Sequence, residues 1–167
     1  MTRSLPALAL LLSACAATGA PDIEYPHYKR PNLLVADMDR SLAIYRDILG
    51  FEAGAIADSA TDSYSYPVFK LPPEARMRYT YLGEPGEART FGLTEVRGMD
   101  MQAVSHRPHR TGHVIGVTGL QAKIERLRAL GLTLTEPKVA GGAEFTFTEV
   151  AFTDPDGHLI VLYEVMD

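Results

Sequence analysis

Residues 30–52 read RPNLLVADMDRSLAIYRDILGFE. Residues 31–36 are mostly apolar and suit a strand. Asp39 is placed to cap a helix, because its carboxylate can accept from the free N–H groups of the next turn. Leu42, Tyr45, Ile48 and Leu49 then recur at helical spacing and make one apolar stripe. Gly50 suits the left-handed position that ends a helix. The stretch therefore reads as strand, turn, helix and stop.

The second half of the chain opens in the same way. Residues 113–118, HVIGVT, read as a strand. Leu120, Ile124, Leu127 and Leu130 form the stripe of a second helix, and Gly131 ends it. Each helix is followed by stretches with strand character. These are 64–71, 77–83 and 89–96 after the first helix, and 133–135, 145–153 and 158–165 after the second. Asp154, Pro155, Asp156 and Gly157 carry turn chemistry and predict a hairpin between the last two strands. The pattern is βαβββ twice. Neither copy alone can bury a comfortable core, so the halves are expected to pack together.

Composition bounds the function. The chain has 167 residues, 46% hydrophobic and 22% charged, which is a globular composition. A formal charge of −5 argues against a nucleic-acid partner, which usually needs a basic face. A single cysteine excludes an internal disulfide framework and a cysteine-rich zinc site. No nucleophile elbow, phosphate-cradling glycine loop or cysteine–histidine pair occurs.

The first residues read as an address. Arg3 is followed by an apolar run too short to span a bilayer, which takes about 20 apolar residues. Leu12-Ser13-Ala14-Cys15 then resembles a bacterial lipobox, in which the cysteine is lipidated. Residues 1–14 are expected to be the signal peptide, with Cys15 as the lipid-bearing residue and 15–29 as a tether. That predicts a lipid-anchored envelope protein facing the periplasm. Ala16 after the cysteine favours the outer membrane over the inner.

Residues 37–51, DMDRSLAIYRDILGF, and 152–158, FTDPDGH, resemble the vicinal oxygen chelate superfamily. That group includes glyoxalase I, extradiol dioxygenases, fosfomycin-resistance transferases and bleomycin-resistance proteins. The resemblance implies an α+β fold in which paired βαβββ modules form a curved mixed sheet around a central cavity. It covers residues 30–167: a first module at 30–96, a connection at 97–110 and a second module at 111–167. It says less about function, because such folds host many chemistries.

In metal-using relatives, four inward side chains, usually His, Glu or Gln, hold one divalent ion. The resemblance carries these positions onto Arg30, Gly92, His113 and Val161. Only His113 is a metal donor, since a guanidinium has no lone pair to give and glycine and valine have no donor. Glu95 is near Gly92, but a strand shift that admitted it would need a different register. The expectation is therefore no metal and no cofactor.

Strand alternation puts Arg30, Asn32 and Leu34 on one inward row, His113, Ile115 and Val117 on a second, and Leu159, Val161 and Tyr163 on a third. The ligand-binding candidates are Arg30, Asn32, His113, Val161 and Tyr163, and the one catalytic candidate is His113. Tyr64 and Tyr66, two apart, are expected on one face of a strand. His106 and His109 read as loop residues, and Asp154 and Asp156 as turn residues.

Three functions fit. The leading one is binding of a small oxygenated or aromatic ligand without metal. The second is a metal-independent lyase or isomerase, with His113 as general base and Arg30 stabilising an oxyanion. The third is a non-catalytic structural lipoprotein of the envelope. The expected partners are a small molecule and, through the lipid alone, the membrane; the chain acts as a monomer or homodimer.

Overall fold

The computed structural model describes residues 28–101, 108–141 and 145–166. Cys15, the stretch expected to be a signal peptide, and His106 lie outside the described residues. The first module runs β1 (Asn32–Val35), α1 (Met38–Tyr45), β2 (Glu52–Ala53), β3 (Ala57–Asp58), α2 (Ser65–Phe69), β4 (Arg76–Glu84) and β5 (Glu87–Arg97). The second runs β6 (His113–Gly116), α3 (Leu120–Ala129), β7 (Lys138–Gly141), β8 (Thr146–Thr153) and β9 (Leu159–Met166). Each module builds a curved mixed sheet. The orders are β1-β5-β4-β2, with β3 also on β4, and β6-β9-β8-β7. The opening strand of each module pairs in parallel with its closing strand, and the other pairs are antiparallel. The fold is α+β, as the repeated pattern implied.

Alternation sorts the sheet faces. Leu33 and Val35 on β1, Phe91 and Leu93 on β5, and Ile160 and Leu162 on β9 turn toward the helices. They join Leu42, Ile44 and Tyr45 of α1 and Leu120, Ile124 and Leu127 of α3 in one apolar cluster. The modules thus share a core. Polar contacts reinforce it at the seam. The Tyr45 hydroxyl donates to Asp154 (2.8 Å), Asp156 accepts from the Ala36 amide (2.8 Å), and His158 Nε2 meets the Leu34 carbonyl (2.9 Å).

Four local expectations are corrected. Asp37, not Asp39, caps α1: it is the last extended residue, and its carboxylate accepts from the Arg40 amide at 3.0 Å. Residues 64–71 contain the short helix α2 rather than a strand. Pro67 has no N–H for a ladder, whereas the first turn of a helix leaves its N–H groups unpaired anyway. The two tyrosines consequently separate. Tyr64 is exposed, while Tyr66 is buried and donates to the Ala75 carbonyl (3.0 Å). The 133–135 strand reduces to one bridge, Leu134 to Phe152, and the edge strand is β7 instead. Finally, β6 turns its row the other way: Ile115 lies in the helix-side core beside Leu162, and Val114 and Gly116 take the opposite face.

The stops hold. Gly50 and Gly131 both have left-handed backbone, at φ 96° and 81°. The regular helix α1 ends at Tyr45, and wider turns carry Ile48 and Leu49, still buried, up to Gly50.

Candidate functional site

The concave face of the first sheet, away from the helices, carries a cavity. Parallel pairing of β1 with β5 sets Asn32 beside Gly92 and Leu34 beside Thr94. Antiparallel pairing of β4 with β5 continues those rows to Tyr81 and Tyr79. The loop before α2 and the helix itself roof the far side with Ser59, Ser63, Val68 and Phe69. The space enclosed is about 800 Å³.

At one end, each polar group has an identifiable place. Arg30 lies just before β1, and its guanidinium rests over the Tyr81 ring, 4.3 Å from the centroid. Arg89 approaches the same ring at 4.9 Å. Such cation–aromatic contacts hold a guanidinium flat while leaving its edge N–H groups free. Asn32 Nδ2 donates to Thr94 Oγ1 at 3.1 Å. Gly92 makes room for this arrangement, because a Cβ there would run into the Asn32 amide oxygen. One Arg30 nitrogen, Nη1, is buried without any hydrogen-bond partner. A buried orphan donor costs about 1–3 kcal/mol, and a ligand oxygen would relieve it. The cavity thus joins tyrosine walls to the cations Lys29 and Arg30, an amide and hydroxyls, with Asp58 the one carboxylate among the described lining residues.

The sequence candidates divide. Arg30 and Asn32 line this cavity. Val161 and Tyr163 project from the equivalent face of the second sheet and do not line it. Gly116 has no side chain because the Tyr163 ring lies over it. His113 packs edge-on against Phe91 at 5.7 Å, on the helix side of β6. Burial first, then the nearby His158, holds its pKa below the usual histidine range, and Asp154 pulls the other way. Arg30 and His113 therefore cannot act on one substrate bound in this cavity. Thr94 and Arg89 were not among the candidates. Thr94 was within reach, being two residues beyond Gly92 and hence on the same face.

A polar cluster of a different kind lies under the sheet. Glu95 is one residue beyond Thr94 and so faces the helices, as strand alternation requires. It accepts from Arg78 at 2.6 and 2.9 Å, from the Met38 amide at 2.8 Å and from Arg97. It caps α1 and does not reach the cavity.

Two modules, each opening on a strand and a helix and closing as a curved mixed sheet, with a cavity on the face of one of them, have the architecture of the vicinal oxygen chelate type. Residues 25–162 match the model of the Glyoxalase/Bleomycin resistance protein/Dioxygenase superfamily, and the chain belongs to that family. It is 33% identical over 138 residues to a lactoylglutathione lyase of Haemophilus influenzae, covering 79% of this chain and 87% of that protein. The fold is similar to a glyoxalase family protein from Bacillus cereus, with TM-score 0.67 at 13% identity over 89% of this chain and 99% of the other. It is also similar to the fosfomycin resistance protein FosX from Listeria monocytogenes, with TM-score 0.52 at 16% identity over 84% and 93%.

The positions where the resemblance expects metal ligands do not fit an ion here. Arg30 brings a positive charge and no lone pair. Gly92 has no side chain, Val161 has no donor and lies on the other sheet, and His113 faces the core. Among the described residues no three His, Cys, Asp or Glu side chains gather to hold a metal.

Proposed function

We propose that this protein binds a small oxygenated or aromatic ligand with an anionic end in the cavity of the first sheet, without a metal. The observation that carries the reading is the unpartnered Nη1 of Arg30, buried beside Asn32 and held over Tyr81. A carboxylate or similar oxyanion supplies the missing acceptor as a charge-assisted hydrogen bond. The tyrosine walls take an apolar or aromatic body. In the same reading the chain is anchored to the envelope through a lipid on Cys15, which the lipobox-like Leu12-Ser13-Ala14-Cys15 supports. Replacing Cys15 with serine is expected to move the protein from the membrane fraction to the soluble fraction of the cell. An unchanged distribution would remove the anchor from the account.

Benzoate and benzamide make a direct test of the ligand reading, since they share shape and differ in charge. Benzoate is expected to raise the melting temperature more than benzamide, because a ligand that binds only the folded form stabilises it. Arg30→Leu should weaken benzoate by roughly tenfold or more, the loss of one charge-assisted hydrogen bond, and leave benzamide nearly unchanged. Equal binding of the two ligands would sink the proposal. So would a stoichiometric zinc, nickel or manganese ion bound in this cavity. The identity to a lactoylglutathione lyase favours a lyase as the second reading. Turnover of a lyase substrate, abolished by Arg30→Leu, would put that reading first.

A further inference from the structure

The seam between the modules is hollow at one end. A separate cleft of about 360 Å³ lies there, walled by His109, Arg110, Thr111, His113 and His158. It shares no lining residue with the cavity of the first sheet. Its lining holds three imidazoles and a guanidinium, and no lining residue is acidic. Both oxygens of the Asp154 carboxylate are committed, to the Tyr45 hydroxyl and to the amides of Asp156 and His158, whereas Asp156 meets the Ala36 amide and Arg40 through Oδ1 and keeps Oδ2 buried without a partner among the described residues.

The imidazoles are differently engaged. His158 Nε2 faces the Leu34 carbonyl, which can only accept, so Nε2 carries the hydrogen. His109 lies 3.4 Å from the Thr153 hydroxyl. His113 makes no hydrogen bond among the described residues, and its ring is fixed by Phe91 on one side and open to the cleft on the other. A half-buried imidazole with no partner, in a cleft walled by further cations, is one acceptor short.

We propose that this seam cleft is a binding site for a small oxyanion, held by Arg110, Thr111 and His113. The site is independent of the ligand reading for the first-sheet cavity. An anion makes its strongest contact with the charged imidazolium, so binding brings a proton with it. The groups facing His113 are His158 just before β9, Asp154 and Asp156 of the turn, and His109 and Arg110 of the preceding segment, with Tyr45 behind Asp154. Burial and His158 keep His113 neutral near pH 7 in the absence of a ligand. The bound anion raises its proton affinity, and by linkage the anion binds tighter as pH falls. Because His158 and His113 reach across to Leu34 and Phe91 of the first module, the occupied site also ties the modules together.

The test uses sulfate, whose charge does not change between mildly acidic and neutral solution, with ionic strength held constant by chloride. Calorimetric titration of the full chain is run beside NMR of the histidine side chains. One coupled proton predicts affinity about tenfold tighter per pH unit at most, over the window between the lowered His113 pKa of the empty site and the higher one it takes with the anion bound, with the His113 resonance shifting toward the imidazolium form. Arg110→Gln, at an exposed position, should weaken sulfate about fivefold at every pH, the scale of one charge-assisted contact. His113→Asn should flatten the pH dependence, and acetate should compete. The proposal fails if sulfate acts no differently from chloride, if its affinity is the same at both ends of the window, or if both variants bind like the parent. The readings on the unaltered chain and on Arg110→Gln stand even if His113→Asn fails to fold.

Discussion

Replacing Asp154 with alanine is expected to lower stability by about 3–5 kcal/mol, among the largest effects of a single change in this chain. The residue is 4% exposed, at the boundary between the modules. One carboxylate oxygen accepts from the Tyr45 hydroxyl at 2.8 Å, and the other accepts from the Asp156 and His158 amides at 3.0 and 2.8 Å. Alanine would strand all three donors at once. Tyr45 lies fully buried in the shared core, so water cannot easily replace the lost acceptor. Its hydroxyl is held well above the usual tyrosine range, first by burial and then by the Asp154 charge, and so stays a donor under all ordinary conditions. The damage should spread. The turn that Asp154 shapes also carries Asp156, whose carboxylate reaches the Ala36 amide and Arg40 of the first module. Thermal unfolding should show a drop on the order of 10 °C, given the usual relation between free energy and midpoint for a domain of this size. Tyr45→Phe is the control, since it removes one hydrogen bond and should lose less. The double variant should lose less than the sum of the two, because both act on one contact. A loss under about 1 kcal/mol for Asp154→Ala would show that the seam is not what holds the modules together.

The same turn shows what was legible in the sequence. Asp154-Pro155-Asp156-Gly157 announces a hairpin because its residues suit the backbone of a turn, and the hairpin is there. That its two carboxylates also latch the other module was not legible, because nothing local to the turn names a partner more than a hundred residues away. The strand–helix–stop at residues 30–50 was legible for a related reason: apolar spacing and a glycine both act over a few residues. The stretch at 64–71 alternated well enough for a strand, yet Pro67 already spoke against it. In the site, Arg30 and Asn32 share the concave face that alternation gave them, since Leu33 and Val35 just beyond them are plainly core residues. His113 did not. β6 has only four residues, HVIG, and valine and isoleucine on adjacent positions give no amphipathic contrast to fix the phase. The family motif put the histidine in the cavity, and the shared core claimed Ile115 and turned it out. Arg89 and the roof of the cavity depended on how β4, β5 and α2 fold over one another, which no spacing rule reaches.

Glu95 supplies the second large effect, and its sign can be worked out. Its side chain is 4% exposed and meets Arg78 in a two-pronged ion pair, the Met38 amide at the start of α1, and Arg97. Burial alone would push its pKa up. The hydrogen bonds from Arg78 and Met38, the Arg78 charge and the Arg97 contact together outweigh that, and the net shift is downward. A carboxylate whose folded pKa lies below its unfolded value of about 4.3 adds stability that is complete above that value. The contribution is lost as pH falls from there through the lower folded pKa. Acid unfolding of the parent should therefore steepen below about pH 4.3, and Glu95→Gln should lose that part of the profile. At neutral pH, Glu95→Gln is expected to cost about 2–4 kcal/mol, because Arg78 and the end of α1 lose their countercharge in a largely dry place. Arg97 matters less, being more than half exposed, where water screens it. Removing both buried partners, as Glu95→Leu with Arg78→Met, should recover part of the loss, since an apolar pair leaves no charge stranded. Urea unfolding of the parent, Glu95→Gln and the double variant at neutral and acid pH decides the matter. If Glu95→Gln matches the parent at neutral pH, or keeps the same acid profile, the carboxylate does not anchor α1. Because β5 presents Glu95 on one face and Thr94 on the other, the same measurements bear on the cavity. A variant that frays α1 yet still binds benzoate would show that the concave face holds its shape without the helix behind it.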